Sequence, residues 1–379
     1  MRIKKSDLRD YIELAIVFFV LSTGGAYKYA FFAAWAAFHV FTGRTKWRLS
    51  TLYILLPSLS WVVIGLIMNV YGGLTAHALK EAVFAIFPPL GALVLWNKLG
   101  NERFTYLNSK FFYVIIFVFA ATQLPHFSAS DLLESQYAYI FGAYVIYFIF
   151  KKDCAHTIIA AIALILAHKR SVLGSVVLGM AFLFFFAPKK GSRKKAIRIL
   201  TFIGISSVTA LLAWIFLCKT DLISALLRTF GIRDMGRLKA WRNLIPLYSF
   251  SITQPGFGLG SVKILLDQWN IPGFDRLHND ILVLYYQLGT IGFIVHIYSH
   301  FYFIKKYYII NMIDYRTAIV LCALVIYSLA NYLVGNNSIY INYTFPLYIL
   351  MIQCIAESKI SKDALANGDY ALKKQEGFK

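Results

Sequence analysis

Charge is scarce in this chain: only 15% of its 379 residues are Asp, Glu, Lys or Arg. A water-facing surface needs far more polar cover. With 59% hydrophobic residues and 17% aromatics, a soluble shell cannot close, so lipid is the main solvent. Acid is scarcer still, 18 Asp and Glu against 38 Lys and Arg, a formal charge of +20. In a soluble protein that excess would point to nucleic acid. Here the cations fall in short clusters between apolar runs, where they set orientation across a bilayer, and no nucleic-acid partner is expected. Cysteine pairs are missing as well. Cys154, Cys218, Cys322 and Cys354 stand far apart with no C-x-x-C spacing, which argues against a disulfide framework and against a cysteine metal site. No convincing small-residue cleavage site follows the basic start at Arg2, Lys4 and Lys5, so the apolar run from Ile12 reads as a retained first helix.

What is present is a series of apolar runs. A helix crosses the hydrocarbon in about 20 residues, fewer when anchored by aromatic or snorkelling side chains. Candidate spans lie at roughly 10–24, 27–43, 50–70, 78–97, 110–125, 134–150, 155–168, 171–187, 196–218, 280–304, 315–334 and 343–357. The basic clusters Lys4/Lys5, Arg44/Lys46/Arg48, Lys98/Arg103/Lys110, Lys151/Lys152, Lys189 to Lys195 and Lys305/Lys306 fall on alternate connections, as cytoplasmic loops should. The expected fold is an all-α integral membrane protein of about twelve transmembrane helices, one polytopic domain over 1–379. Both termini are cytoplasmic, with a cytoplasmic tail at 358–379 and a large external, periplasmic loop at 219–279.

Two basic features oppose that orientation. Lys169 and Arg170 occupy a tight external hairpin. The loop 219–279 carries Lys219, Arg228, Arg233, Arg237, Lys239, Arg242, Lys263 and Arg276 against four aspartates. Positive charge on the translocated side works against insertion and suggests a compensating role, for which anionic ligands are the natural choice. Snorkelling to lipid phosphates is the competing explanation for any one of these residues. Within the loop, 222–230 and 237–250 carry apolar residues at helical spacing, as in helices lying along a membrane surface, with Gly231 and Gly236 as breaks between them. Residues Pro255 to Gly260 form a glycine-spaced turn. No strand precedes it, so a dinucleotide fingerprint is not indicated. It either brings backbone N–H groups to a ligand or packs two helices closely.

His278 falls at the membrane boundary, and an unperturbed imidazole pKa of about 6.5 suits proton abstraction near neutral pH. A capping or packing histidine is the plainer alternative. Its company, Arg170 and Arg237 on the same outward surface, favours chemistry. Lys169, Lys239, Arg242, Arg276, Asn279 and Asp280 are the weaker binding candidates. Trp241, Trp269 and Tyr285 are either sugar-stacking platforms or interfacial anchors.

These residues form a linear series: Ala167 to Ser171 at a hairpin, Gly236 to Trp241, Pro255 to Gly260, and His278 to Leu282 ahead of Gln287 to Gly292. In that order and spacing the chain resembles the O-antigen ligase and polymerase superfamily over roughly 160–300. Lys169 stands where a small hydroxyl residue is common, and Gln287 replaces a frequent glutamate. The resemblance implies a GT-C-like membrane glycosyltransferase of the bacterial inner membrane, using undecaprenyl-diphosphate-linked oligosaccharides as donor and acceptor, with a chain-length regulator as a further candidate partner. It implies that Arg170 and Arg237 bind the donor diphosphate and that His278 activates the acceptor hydroxyl. Arginine suits that role because its fork matches phosphate oxygens and keeps its charge in a partly dry site. No metal or cofactor is expected, since the loop's aspartates are well separated. A polymerase of lipid-linked repeat units is the first expectation, a ligase to lipid A core the second. A transporter, for which more charge inside the spans is expected, is the third.

Overall fold

The computed structural model describes residues 5–22, 27–42, 49–123, 135–186, 192–220, 222–229, 237–269, 277–333, 335 and 340–366. All regular structure among them is helical. The order is α1 (Lys5–Ser22), α2 (Tyr27–Thr42), a 3-10 turn (Leu49–Leu55) running into α3 (Leu56–Gly72), α4 (Ala76–Gln123), α5 (Tyr137–Lys151), α6 (Cys154–Leu166) and α7 (Arg170–Phe185). Then come α8 (Arg193–Lys219), α9 (Leu222–Thr229), α10 (Arg237–Leu244), α11 (Ser261–Trp269), α12 (Asp280–Ile309), α13 (Tyr315–Tyr332) and α14 (Ile341–Ala366). Among the described residues five stretches are long and apolar enough to cross a membrane: Leu49–Val70, Ala76–Gln123, Arg193–Lys219, Asp280–Ile309 and Tyr315–Tyr332. α5, α6 and α7 are shorter apolar helices. The chain is an all-α, multi-pass membrane protein, and helix occupies each of the twelve apolar stretches named above.

Capping residues set several helix starts. The side chains of Asp153, Ser192, Asn279 and Asp314 accept hydrogen bonds from the N–H groups of His156, Lys195, Leu282 and Thr317, which would otherwise lack a partner in the first turn. Pro57 occupies the first turn of α3, where its missing N–H costs nothing. α4 is two helices meeting at Gly100, whose φ of 72° and ψ of 174° leave the helical region. The second half packs back along the bundle. Asn108 donates to Gln353 of α14 (2.8 Å), and Phe119 meets Phe141 near the start of α5 (5.1 Å between centroids). The two apolar stretches on either side of Lys98 thus lie in separate helical halves of α4.

α12 is largely buried and packs against α3, α8 and α13, while α14 lies along α4. Outward faces are apolar, with Phe117, Phe184 and Phe185 largely exposed, as lipid contact requires. The N–H of Asp280 donates to the Gly335 carbonyl (3.1 Å) and that of Ser135 to Ala167 (3.0 Å). These bonds gather the starts of α12, α5 and α7 with the ends of α6 and α13 at one end of the bundle, here the upper end. At the lower end, Lys151 pairs with Glu357 (3.3 Å) and Lys362 donates to Asn311 and Ile313. There Asp10 pairs with Arg103 (2.7 Å), and Glu13 takes up Trp35, His39 and Lys98, tying α1 and α2 to the break in α4.

Candidate functional site

The upper end is organised around a second break, in α12. Gly289 has φ 68° and ψ 178°, a left-handed conformation that a side chain disfavours. The break frees the carbonyls of Tyr286 and Gln287. The N–H groups of Phe257 (3.1 Å) and Gly258 (3.0 Å) take them, and the N–H of Thr290 donates back to Gln254 (3.3 Å). Backbone polar groups away from water must be paired, so the glycine turn and the broken helix complete one another. Gly256 lies against the Gln287 carbonyl, with Leu288 backbone 2.7 Å from where a Cβ would sit; only glycine fits. The next two amides are also engaged, Leu259 with Asn69 of α3 (2.9 Å) and Gly260 with Glu81 of α4 (2.9 Å). Of the two uses expected for this turn, close packing is the one observed. All four amides from 257 to 260 are committed within the protein.

The Gln287 amide donates to the same Glu81 oxygen at 2.7 Å. The α12 position that bears glutamine instead of glutamate thus borders a carboxylate supplied by another helix. Sequence reasoning missed Glu81, although an acid near the start of an apolar span is a signal in its own right. It also missed α11, which follows directly on the glycine turn.

His278 sits immediately before α12 with φ 56°, a left-handed conformation rare outside glycine although histidine adopts it more readily than most residues. Its neighbours hold it there. The Leu277 carbonyl accepts the Trp241 indole N–H (2.8 Å), the Asn279 side chain caps α12, and the Asp280 N–H is fixed to Gly335. Asn279 and Asp280 are buried, so the observed part of their role is structural. Trp241 is 4% exposed and Tyr285 fully buried, its hydroxyl donating to Ser249 (3.0 Å) and meeting Thr290 (2.8 Å). Neither ring is available to stack on a sugar, which corrects that expectation; Trp269 packs partly buried against the core. Burial, with Cys218 and Tyr285 nearby, pushes the Tyr248 phenol up from its ordinary value, keeping it neutral.

Arg170 is the first residue of α7 and is exposed, with no hydrogen bond or ion pair among the described residues. It follows Ala167, whose carbonyl is fixed to Ser135, and His168, which has φ 46°. Lys169 occupies the position before α7, its ammonium 5.1 Å from the Tyr139 ring centre. α7 packs on α5 and α13, and the α13 end leads to the Gly335 carbonyl that holds Asp280. The Arg170 hairpin and the His278 bend therefore share the upper end, bridged by α13. No hydrogen bond joins them among the described residues.

Arg237 opens α10, one turn before Trp241, but its side chain and that of Lys239 lie outside the described residues, as does Arg276. Arg242 is exposed in the last turn of α10. Two of the loop cations have internal work. Lys219 donates to the carbonyls of Ile245 (2.7 Å) and Tyr248 (2.6 Å), and Lys263 pairs with Asp267 (2.6 Å). Among the described residues no three His, Cys, Asp or Glu side chains converge as a metal site would require.

Fold and site together define a helical multi-pass membrane protein in which the glycine turn is stitched into the broken helix α12. Residues 155–297 match a family model described as O-antigen ligase, which supports the resemblance to the O-antigen ligase and polymerase superfamily. The match runs from α6 into α12 and includes the Arg170 hairpin, α10, the glycine turn and His278. No curated protein and no solved structure gives a significant match.

Proposed function

We propose that the protein is a polysaccharide polymerase that joins undecaprenyl-diphosphate-linked repeat units on the periplasmic face of a bacterial inner membrane. In this reading the chain makes twelve spans with both termini in the cytoplasm. The observation that carries the proposal is His278, held in a left-handed bend at the head of α12 and coupled through Trp241 to the helix that Arg237 opens. Strain of this kind persists where neighbours over-determine it, and it concentrates at functional sites.

The chemistry follows from the side chains. Arg170 and Arg237 hold the diphosphate of the donor. His278 takes the proton from the acceptor hydroxyl as its oxygen forms a bond to the anomeric carbon. The bond from that carbon to the phosphate oxygen breaks, and undecaprenyl diphosphate leaves with the electron pair. Charge builds on the departing diphosphate, so fixed guanidinium groups favour the transition state over the ground state. One base and no nucleophile gives inversion by direct displacement, with no metal required by the scheme.

The family description favours a second reading, a ligase that transfers the glycan to lipid A core. Purified protein incubated with defined lipid-linked repeats, with and without lipid A core, distinguishes the two. Chain lengthening without core supports the polymerase. Transfer only to core makes it a ligase, and lipid movement without any transfer removes both.

A further inference from the structure

We propose that a lateral groove at the lower end, opposite the candidate site, holds one anionic phospholipid. The groove has a volume of about 640 Å³ and runs between α5, α7 and α13. That lies within the roughly 300–1,000 Å³ usual for small-molecule sites. Its walls are apolar, from Ile149, Val177, Phe184 and Ile319, and two cations stand at its rim, Lys152 and Arg316. Val177 is 66% and Phe184 82% exposed, so the groove opens sideways, where acyl chains lie.

The two cations lack counter-ions among the described residues. Lys152 and Arg316 are exposed and make no ion pair among the described residues. The acids beside them in sequence are engaged elsewhere. Asp153 takes the N–H and ring of His156, and Asp314 takes the N–H of Thr317. Arg316 also lies in the first turn of α13, where the helix dipole adds positive potential. An occupant must therefore combine an apolar chain with a phosphate at its head and a net negative charge. A free phosphate lacks the chain, and a zwitterionic lipid lacks the net charge. The lipid would fill the gap between the far end of α7 and its neighbours, steadying the helix that begins with Arg170. This inference does not depend on the reaction proposed above.

The test is native mass spectrometry of the full-length protein after delipidation, titrated with phosphatidylglycerol or with phosphatidylethanolamine of the same chains. One retained phosphatidylglycerol, preferred over phosphatidylethanolamine, is expected. A juxtamembrane cation contributes roughly a five-fold gain in affinity for an anionic lipid, so the double variant K152Q/R316Q should bind about 25-fold more weakly. V177W, which fills the groove without altering charge, should also lose the lipid. Equal retention of both lipids, many equivalent copies, or unchanged binding by K152Q/R316Q overturns the proposal. Size-exclusion profiles check folding. If V177W fails that check, K152Q/R316Q, altered only at exposed positions, still decides.

Discussion

Replacing His278 by glycine and by alanine separates its chemistry from its backbone. Both variants lose the imidazole and its contacts alike, so their difference reports the left-handed conformation at φ 56°. Alanine carries a penalty of ~1–2 kcal/mol there that glycine avoids. In a helix interior the order is reversed, with glycine the less stable by ~1 kcal/mol. An unfolding entropy of ~2.1 cal/mol/K per residue makes 1 kcal/mol equivalent to roughly 1 °C for a chain of this length. His278→Gly should therefore melt roughly 1–2 °C above His278→Ala in the same detergent. Both should lose turnover by ~10²–10⁴-fold in the reconstituted transfer assay, the usual contribution of a general base. Alanine melting at or above glycine would remove the strained bend. Turnover within a few-fold of wild type in either variant would remove the base and leave His278 as a packing residue.

The glycine turn gives a matched pair. Gly256→Ala drives a methyl group into the Gln287 carbonyl and disrupts three backbone hydrogen bonds, lowering stability by roughly 2–4 kcal/mol, whereas Gly174→Ala, with open space around its Cβ, should be neutral or stabilising by up to ~1 kcal/mol. Equal melting of the two variants would contradict the stitched break. Arg170→Ala should cut transfer by roughly 10–100-fold through loss of a charge-assisted phosphate contact, with Arg170→Lys recovering only part; wild-type kinetics in the alanine variant would take Arg170 out of the donor site. Tyr285→Phe should lower stability by ~1–2 kcal/mol while leaving the KM for glycan unchanged, because its hydroxyl serves Ser249 and Thr290. A raised KM with unchanged stability would return the ring to sugar binding.

The apolar helices were legible because lipid imposes a length and a composition on each crossing. That 222–229 and 237–244 are helical was legible from apolar periodicity. The break at Gly289 was not, since its partners stand some thirty residues earlier and the turn's other anchors, Asn69 and Glu81, are nearly two hundred residues away. Those contacts are made through space and leave no local pattern. The aromatics were ambiguous for a related reason. A tyrosine or tryptophan at a membrane boundary has the same sequence signature whether it faces sugar, lipid or protein, and only the bonds of Tyr285 and Trp241 to backbone carbonyls distinguish these. Lys219 shows the limit of counting charge: as a loop cation it suggested an anionic ligand, yet it holds two carbonyls at the end of α8.

With Lys219 and Lys263 engaged internally, Arg170 stands exposed on the hairpin. Under the proposed mechanism the donor diphosphate must be gripped from both sides, and a shift of about 1 Å between grip and base is enough to cost 10²-fold in rate. A loop hinged only at its ends could not hold that tolerance. Here the loop is bonded to α12 at Phe257, Gly258 and Thr290, and α10 is tied to the residue before His278 by Trp241. The hairpin in turn rests on α5 and α13. Positive charge on the loop explains why a lipid diphosphate would be drawn to this face. The break in α12 explains why the loop can be rigid enough to act on it.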